Sequence, residues 1–181
     1  MAEIFIELFS EEIPATLQID ARHGIKRLIE ENLKRKNIPF KLSSSFSTPQ
    51  RLVFTIYGVP VTITQKDKTI KGPKVNTPLI ALEGFINSNN LNKKDLYKGK
   101  NEKGEFYFAK LKSSTVDVMQ ELRSILPEVL KNYSWKKSMK WSNNDLNWGR
   151  PLKSITAIFN GKIINFKYFH LESNNLISID N

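Results

Sequence analysis

The stretch from residue 3 to residue 36 constrains the fold more than any other. "EIFIELF" at 3–9 alternates in part and is rich in Ile and Phe, as a buried strand would be. Pro14 follows, with Glu11 and Glu12 just ahead of it. Proline suits a first helical turn, and carboxylates suit its positive end. Leu17, Ala21, Ile25, Leu28, Ile29 and Leu33 then recur at helical spacing, while Arg22, Lys26, Arg27, Glu30, Glu31 and Lys34 take the other face. The pattern predicts a helix over 15–36.

The rest of the chain reads as strands and two further helices. "FKLSSSFSTPQRLVFTIYGVP" predicts two strands around a connection centred on Pro49. Residues 64–76 are charged, carry Gly-Pro and predict a loop. Thr77-Pro78 resembles an N-cap followed by a first-turn proline, opening a short helix over 78–88 that buries Leu79, Leu82, Phe85 and Ile86. "YKGKNEKGEFYFAKLKS" predicts a hairpin. A second long helix is expected from about 116, capped by Ser114 or Thr115, with Pro127 imposing a kink or a division into two abutting helices. "LKSITAIF" and "KIINFKYFHL" flank Asn160-Gly161, a strong two-residue hairpin turn. The tail "ESNNLISIDN" reads as a polar boundary. These elements give an α+β class, a mostly antiparallel sheet with about three helices packed on it, in one domain over 1–172 with a boundary segment at 173–181.

Composition excludes several functions. With no cysteine there are no disulfides or thiolate metal sites. No run reaches the roughly 18 apolar residues of a membrane span, and the acidic N-terminus lacks a signal peptide's basic region, so a cytoplasmic protein without membrane attachment is the simple reading. Glu11-Glu12 is a tight acidic pair without an evident partner set, "KGPK" at 71–74 is not a phosphate-binding loop, His23 reads as exposed and His170 as a half-buried packing residue. No catalytic residue, metal site or cofactor site is assigned within the chain.

The net charge of +10 points instead toward a polyanion. Of 28 basic residues six are arginine and 22 lysine, a balance that AT-rich codons would also give. Trp135, Lys136, Lys137, Lys140, Trp141, Trp148 and Arg150 fall within sixteen positions, and such a mixture can stack bases and hold phosphates. The competing reading makes the tryptophans anchors between a helix end and the last hairpin. The candidate RNA contacts are Lys71, Lys74, Lys136, Lys137, Lys140 and Trp141. Glu11, Glu12, Pro14, Pro49, Arg51, Trp148, Arg150 and Pro151 are assigned to structure, with Arg150 expected to be pinned by the carboxylate of Glu11 or Glu12.

"SMKWSNNDLNWGRPLKSITAIFNGKII" resembles the beta subunit of bacterial heterotetrameric glycyl-tRNA synthetase, through Met139, Lys140, Trp141, Asp145, Trp148, Arg150, Pro151 and Gly161. "ELFSEEIP" is similar to that family's N-terminal motif at Glu7, Glu11, Glu12 and Pro14, and "STPQRLVF" to its next one at Thr48, Pro49, Arg51 and Leu52. "KGP" at 71–73, "ALEGF" at 81–85 and "KGEFYFA" at 103–109 follow in the same order. Lys140 and Gln50 stand where the family commonly has arginine, and the family subunit is longer, so the chain is read as its N-terminal part. The resemblance implies a glycine–tRNA ligase in which an alpha subunit holds ATP, Mg2+ and the adenylate-forming site. The beta subunit would bind tRNA(Gly) within an alpha2beta2 tetramer, its anticodon-binding part lying C-terminal to this chain. Two alternatives stay open: a docking domain without direct RNA contact, and an RNA-binding module unrelated to charging.

Overall fold

The computed structural model describes all residues except 66, 67, 76, 90, 102, 103, 112, 141–145 and 178–181. The chain gathers into two compact units, Met1–Ile63 with Val116–Asn181, and Thr64–Thr115.

The first unit is built on a seven-stranded sheet. Its central strand is β1 (Ala2–Ser10), antiparallel to both β3 (Arg51–Val59) and β11 (Leu152–Phe159). Because side chains alternate, Ile4, Ile6 and Leu8 share one face with Leu52, Phe54, Ile56, Ile155, Ala157 and Phe159, and all nine are core residues. That face meets α1 (Ala15–Arg35), whose Leu17, Ala21, Ile25, Ile29 and Leu33 are buried at intervals of four. Pro14 sits at the N-cap rather than inside the first turn. The C-terminus of α1 closes as a Schellman motif: Asn37 takes φ 57°, Asn37 N–H donates to Lys34 O (2.9 Å) and Ile38 N–H to Leu33 O (2.8 Å). Leu33 and Ile38, bracketing that turn, both enter the core.

The second core helix is α3 (Val118–Asn132), burying Leu122, Ile125, Leu126, Val129 and Leu130. It crosses Pro127 as one helix, not two. The missing proline N–H removes one backbone bond, which the buried apolar side on both flanks outweighs. Asp117 caps it, accepting from Met119 N–H at 2.9 Å, while Ser114 and Thr115 belong to a strand, β8 (Ser114–Asp117). Arg35–Glu128 and Lys36–Glu121, each at 2.9 Å, join α1 to α3 at the surface.

The strands run, in spatial order, β13 (Lys167–Tyr168), β14 (Leu171–Asn174), β11, β1, β3 and β2 (Leu42–Thr48), with β12 (Lys162–Ile163) pairing with β11. Asn160 and Gly161 both have positive φ, 51° and 72°, the backbone that an Asn-Gly hairpin turn requires. The second strand of that hairpin is shorter than expected. It breaks after Ile163 and resumes as β13 (Lys167–Tyr168) and β14 (Leu171–Asn174), with Phe169 at φ 53° between them. β14 runs parallel to β11 and brings Ser173 and Asn174, expected in the polar boundary, into the sheet. His170, expected to pack in a strand, is exposed in that turn. A two-stranded sheet of β9 (Met139–Lys140) and β10 (Asn147–Trp148) completes this unit.

The second unit holds a three-stranded sheet, β5 (Lys68–Lys74), β7 (Gly104–Leu111) and β6 (Leu96–Asn101), and α2 (Leu79–Ser88). The loop expected over 64–76 is therefore mostly strand, β4 (Thr62–Gln65) and β5. Their β-branched residues favour pairing, and a register shift between Lys71 and Lys74 absorbs Gly72-Pro73. Pro78, not Thr77, is the N-cap of α2. None of its residues is fully buried, so the expected burial of Leu79, Leu82, Phe85 and Ile86 is not met. Phe85 lies over Gly72, where an added Cβ would fall 2.8 Å from its ring.

Candidate functional site

Three segments that resembled one family in sequence meet at one end of the large sheet. Register places Phe9 opposite Arg51, and Ser10 opposite Leu152, so the end of β1 lies between the starts of β3 and β11. The chain leaving β1 is then held by backbone bonds on both sides. Ser10 N–H donates to Gln50 O (2.9 Å), Glu11 N–H to Pro151 O (2.9 Å) and Ile13 N–H to Pro49 O (2.6 Å). Pro49 and Pro151 accept two of these bonds through their carbonyls and, lacking an N–H, donate none.

Side chains reinforce the junction. Glu7, only 5% exposed, pairs with Arg51 Nη1 at 2.6 Å, and the Arg51 guanidinium lies 4.4 Å from the centre of the Phe9 ring. Lys153 Nζ stands 5.3 Å from the same ring and 3.0 Å from Glu11 Oε1. Among the described residues Arg150 pairs with no carboxylate, where the sequence suggested Glu11 or Glu12. Its Nε donates to the Glu12 backbone carbonyl (3.2 Å) and its Nη1 to Met139 Sδ (3.5 Å). Glu11 is engaged by Lys153 instead, because the β11 alternation brings residue 153, not 150, beside it. With no buried carboxylate left behind, Arg150→Ala is expected to cost about 1–2 kcal/mol, read by chemical denaturation, rather than the larger loss of a broken buried ion pair.

Trp135 and Trp148 belong to the core. Tyr133, Trp135, Trp148, Tyr168 and Phe169 form an edge-to-face ladder with centroid separations of 5.1, 5.0, 6.0 and 5.1 Å. Trp148 is 1% exposed and Trp135 9%, so neither offers a face for stacking a base. The Trp135 indole lies flat against Gly149, where a Cβ would fall 2.4 Å from ring carbon Cε3, so only glycine fits after Trp148. Trp141 and Asp145 lie outside the described residues.

Burial in this ladder pushes the Tyr168 hydroxyl from 10.0 up to about 12, and its O–H donates to Leu130 O at 3.1 Å. Burial, and then Asp20, also raise Tyr133. A tyrosine with a raised folded pKa keeps its full contribution below the unfolded value and loses it as pH rises through the folded one. Stability is therefore expected to fall between about pH 10 and 12, and Tyr168→Phe to flatten that decline in denaturation curves taken across the range.

The candidate lysines are distributed over both units. In the first, Lys136 Nζ pairs with Asp20 Oδ2 at 2.6 Å, and Lys137 and Lys140 are exposed. In the second, Lys71 Nζ stands 3.5 Å and Lys74 Nζ 5.9 Å from the centre of the Phe106 ring. Sequence reasoning missed Lys153 and Gly149; the signal for Gly149 was its place between Trp148 and Arg150, which asks what lies against a residue without a side chain. Among the described residues there is no group of three or more His, Cys, Asp or Glu able to hold a metal, and no helix long and apolar enough to cross a membrane.

These features define an α+β unit in which three of the motifs brace one end of a largely antiparallel sheet. The sequence model of the glycyl-tRNA synthetase beta subunit matches residues 4–180. The glycine–tRNA ligase beta subunit of Rickettsia prowazekii (strain Madrid E) is 36% identical over 177 residues, covering 97% of this chain and 26% of the relative. That of Paracoccus denitrificans (strain Pd 1222) is 35% identical over 158 residues, covering 87% of this chain and 23% of the relative. The chain belongs to the glycyl-tRNA synthetase beta subunit family, and it spans about a quarter of the length of the curated relatives it matches.

Proposed function

We propose that this chain is the N-terminal part of the beta subunit of a glycine–tRNA ligase and supports tRNA binding during ATP-dependent glycylation of tRNA(Gly). The observation that carries this reading is the family match over residues 4–180, three of whose motifs fold into one braced junction. The partner is an alpha subunit holding the adenylate-forming site with ATP and Mg2+, in an alpha2beta2 assembly in the cytoplasm. The contribution to RNA is electrostatic. Lys71, Lys74, Lys136, Lys137 and Lys140 are point charges suited to phosphate oxygens, within a chain of net charge +10. Trp141 is the remaining aromatic candidate for a base.

The chain by itself is expected to show no glycine-dependent ATP–pyrophosphate exchange. An alpha subunit combined with a complete beta subunit should charge tRNA(Gly), and lose that activity when residues 1–172 are deleted. Exchange above background in the chain alone, or full charging after the deletion, contradicts the proposal.

A second reading is favoured by one observation. Leu42 and Phe46 on the edge strand β2, each 59% exposed, and Tyr57 opposite Leu42, 43% exposed, leave large apolar side chains on the surface. Such an edge suits docking of another domain or subunit. Phe46→Ser weakening assembly while leaving RNA affinity unchanged is the result that favours docking over RNA binding.

A further inference from the structure

A cleft of about 680 Å³ opens in the first unit between the first turn of α3 and the Asn160-Gly161 turn. It is separate from the braced junction and from the lysines considered above. Its size is that of small-molecule sites. Three kinds of polar group line it. Arg123 and Lys162 are cationic; Gln120, Asn160, Asn165 and Asn175 are amides; Asp117 is the one carboxylate among the lining residues.

The cations stand without a carboxylate partner among the described residues. Arg123 Nε is buried with no hydrogen-bond partner among them, and its Nη1 makes a long 3.4 Å bond to Gln120 Oε1. With no carboxylate to neutralise them, Arg123 and Lys162 leave positive charge on this cleft that an arriving anion would neutralise. The N-terminus of α3, a 15-residue helix, adds a positive partial charge to the same cleft. Asp117 already accepts from Met119 N–H through Oδ1, which fixes the carboxylate in place and leaves Oδ2 to accept elsewhere. The turn residues are fixed too, since Asn160 and Gly161 are held at positive φ and Asn160 N–H donates to Glu3 O at 3.2 Å.

We infer that this cleft binds a ribonucleoside monophosphate unit. The phosphate takes Arg123 and Lys162, the ribose hydroxyls donate to Asp117, and the amides hydrogen-bond the base edge. Asparagine and glutamine amides carry both donors and acceptors, so they suit base edges, while the 2′-hydroxyl gives Asp117 a partner that DNA lacks. The same chemistry is offered by a free mononucleotide and by an unpaired nucleotide of an RNA strand. The second source rests on the proposed role in RNA handling; the first does not.

The test is titration of the isotopically labelled chain, followed through its backbone amide resonances, with AMP, CMP, GMP and UMP, with the deoxy counterparts, with inorganic phosphate and with short single-stranded RNA. Saturable shifts at Met119–Arg123 and Asn160–Lys162 are expected with ribonucleotides, with phosphate and deoxynucleotides at least about tenfold weaker. Arg123→Gln with Lys162→Gln should weaken ribonucleotide binding at least about tenfold, and Lys162→Gln alone, on the exposed hairpin, should weaken it in part without moving the thermal midpoint. Shifts with RNA at the same amides assign the site to a strand; shifts with mononucleotides alone assign it to a free nucleotide. No saturable shift, shifts confined to other residues, equal binding of phosphate alone, or an unaffected Lys162→Gln overturns the inference. Because no tRNA or alpha subunit enters the titration, its failure leaves the charging experiment untouched, and failure of charging leaves the titration untouched.

Discussion

Trp148→Ala is expected to lower the free energy of unfolding by about 3–5 kcal/mol, among the largest losses of any single change in the first unit. The indole is 1% exposed and sits between Trp135, at 5.0 Å, and Tyr168, at 6.0 Å, so removing it opens a cavity at the centre of the aromatic ladder. Truncation to Phe keeps part of the ring packing and should cost less. Its indole N–H makes no hydrogen bond among the described residues, so the loss is one of packing alone and should be insensitive to salt. Urea denaturation of the variant measures it directly. A loss below about 1 kcal/mol would mean that the ladder closes over the gap, and that Trp148 does not hold the β10–β11 segment in place.

Arg51→Met carries a comparable expected loss, about 3–5 kcal/mol, for a different reason. Glu7 is 5% exposed in the central strand and its carboxylate depends on Arg51 at 2.6 Å. Removing the guanidinium leaves a buried charge uncompensated and strips a cation from the Phe9 ring. Combining Arg51→Met with Glu7→Gln should recover part of the loss, since the charge left behind is then absent. The coupling between the two substitutions, read from a double-mutant cycle, is expected to exceed about 1 kcal/mol. Additive losses would show that Arg51 acts through Phe9 and not through Glu7.

Much of this architecture is legible in the sequence because it is written in local periodicity. The spacing of Leu17, Ala21, Ile25, Ile29 and Leu33 marks α1 nearly to the residue, and Asn160-Gly161 marks the turn, since each pattern reflects backbone geometry that neighbouring residues decide among themselves. The class, α+β with a largely antiparallel sheet and three helices, follows from those elements. What the sequence hides is decided by partners far along the chain. Lys68–Lys74 reads as a charged loop, but β7 supplies a pairing strand and a bulge takes up Gly72-Pro73. Ser173 and Asn174 read as part of a polar end, but β11 accepts them in parallel. Arg150 invites a carboxylate because charge is visible in a sequence, whereas a backbone carbonyl such as that of Glu12 is carried by every residue and marks none. The convergence of Pro49, Glu11 and Pro151 is likewise invisible as geometry, although the order of six motifs along the chain is enough to indicate the family.

The proposed contribution of this part of a beta subunit to tRNA binding runs through lysine charge and not through Trp135 and Trp148, which are buried in the core. The most direct measurement is a set of fluorescence-anisotropy titrations of tRNA(Gly) and of an unrelated tRNA with the chain, at several salt concentrations. Weak binding is expected, falling linearly in log affinity against log salt. Charge reversal at Lys136, Lys137 and Lys140 together should weaken both RNAs alike and reduce the slope by roughly 0.7–0.9 for each phosphate no longer neutralised. Tight, salt-insensitive binding that prefers tRNA(Gly), and that survives reversal of the three lysines, would contradict it.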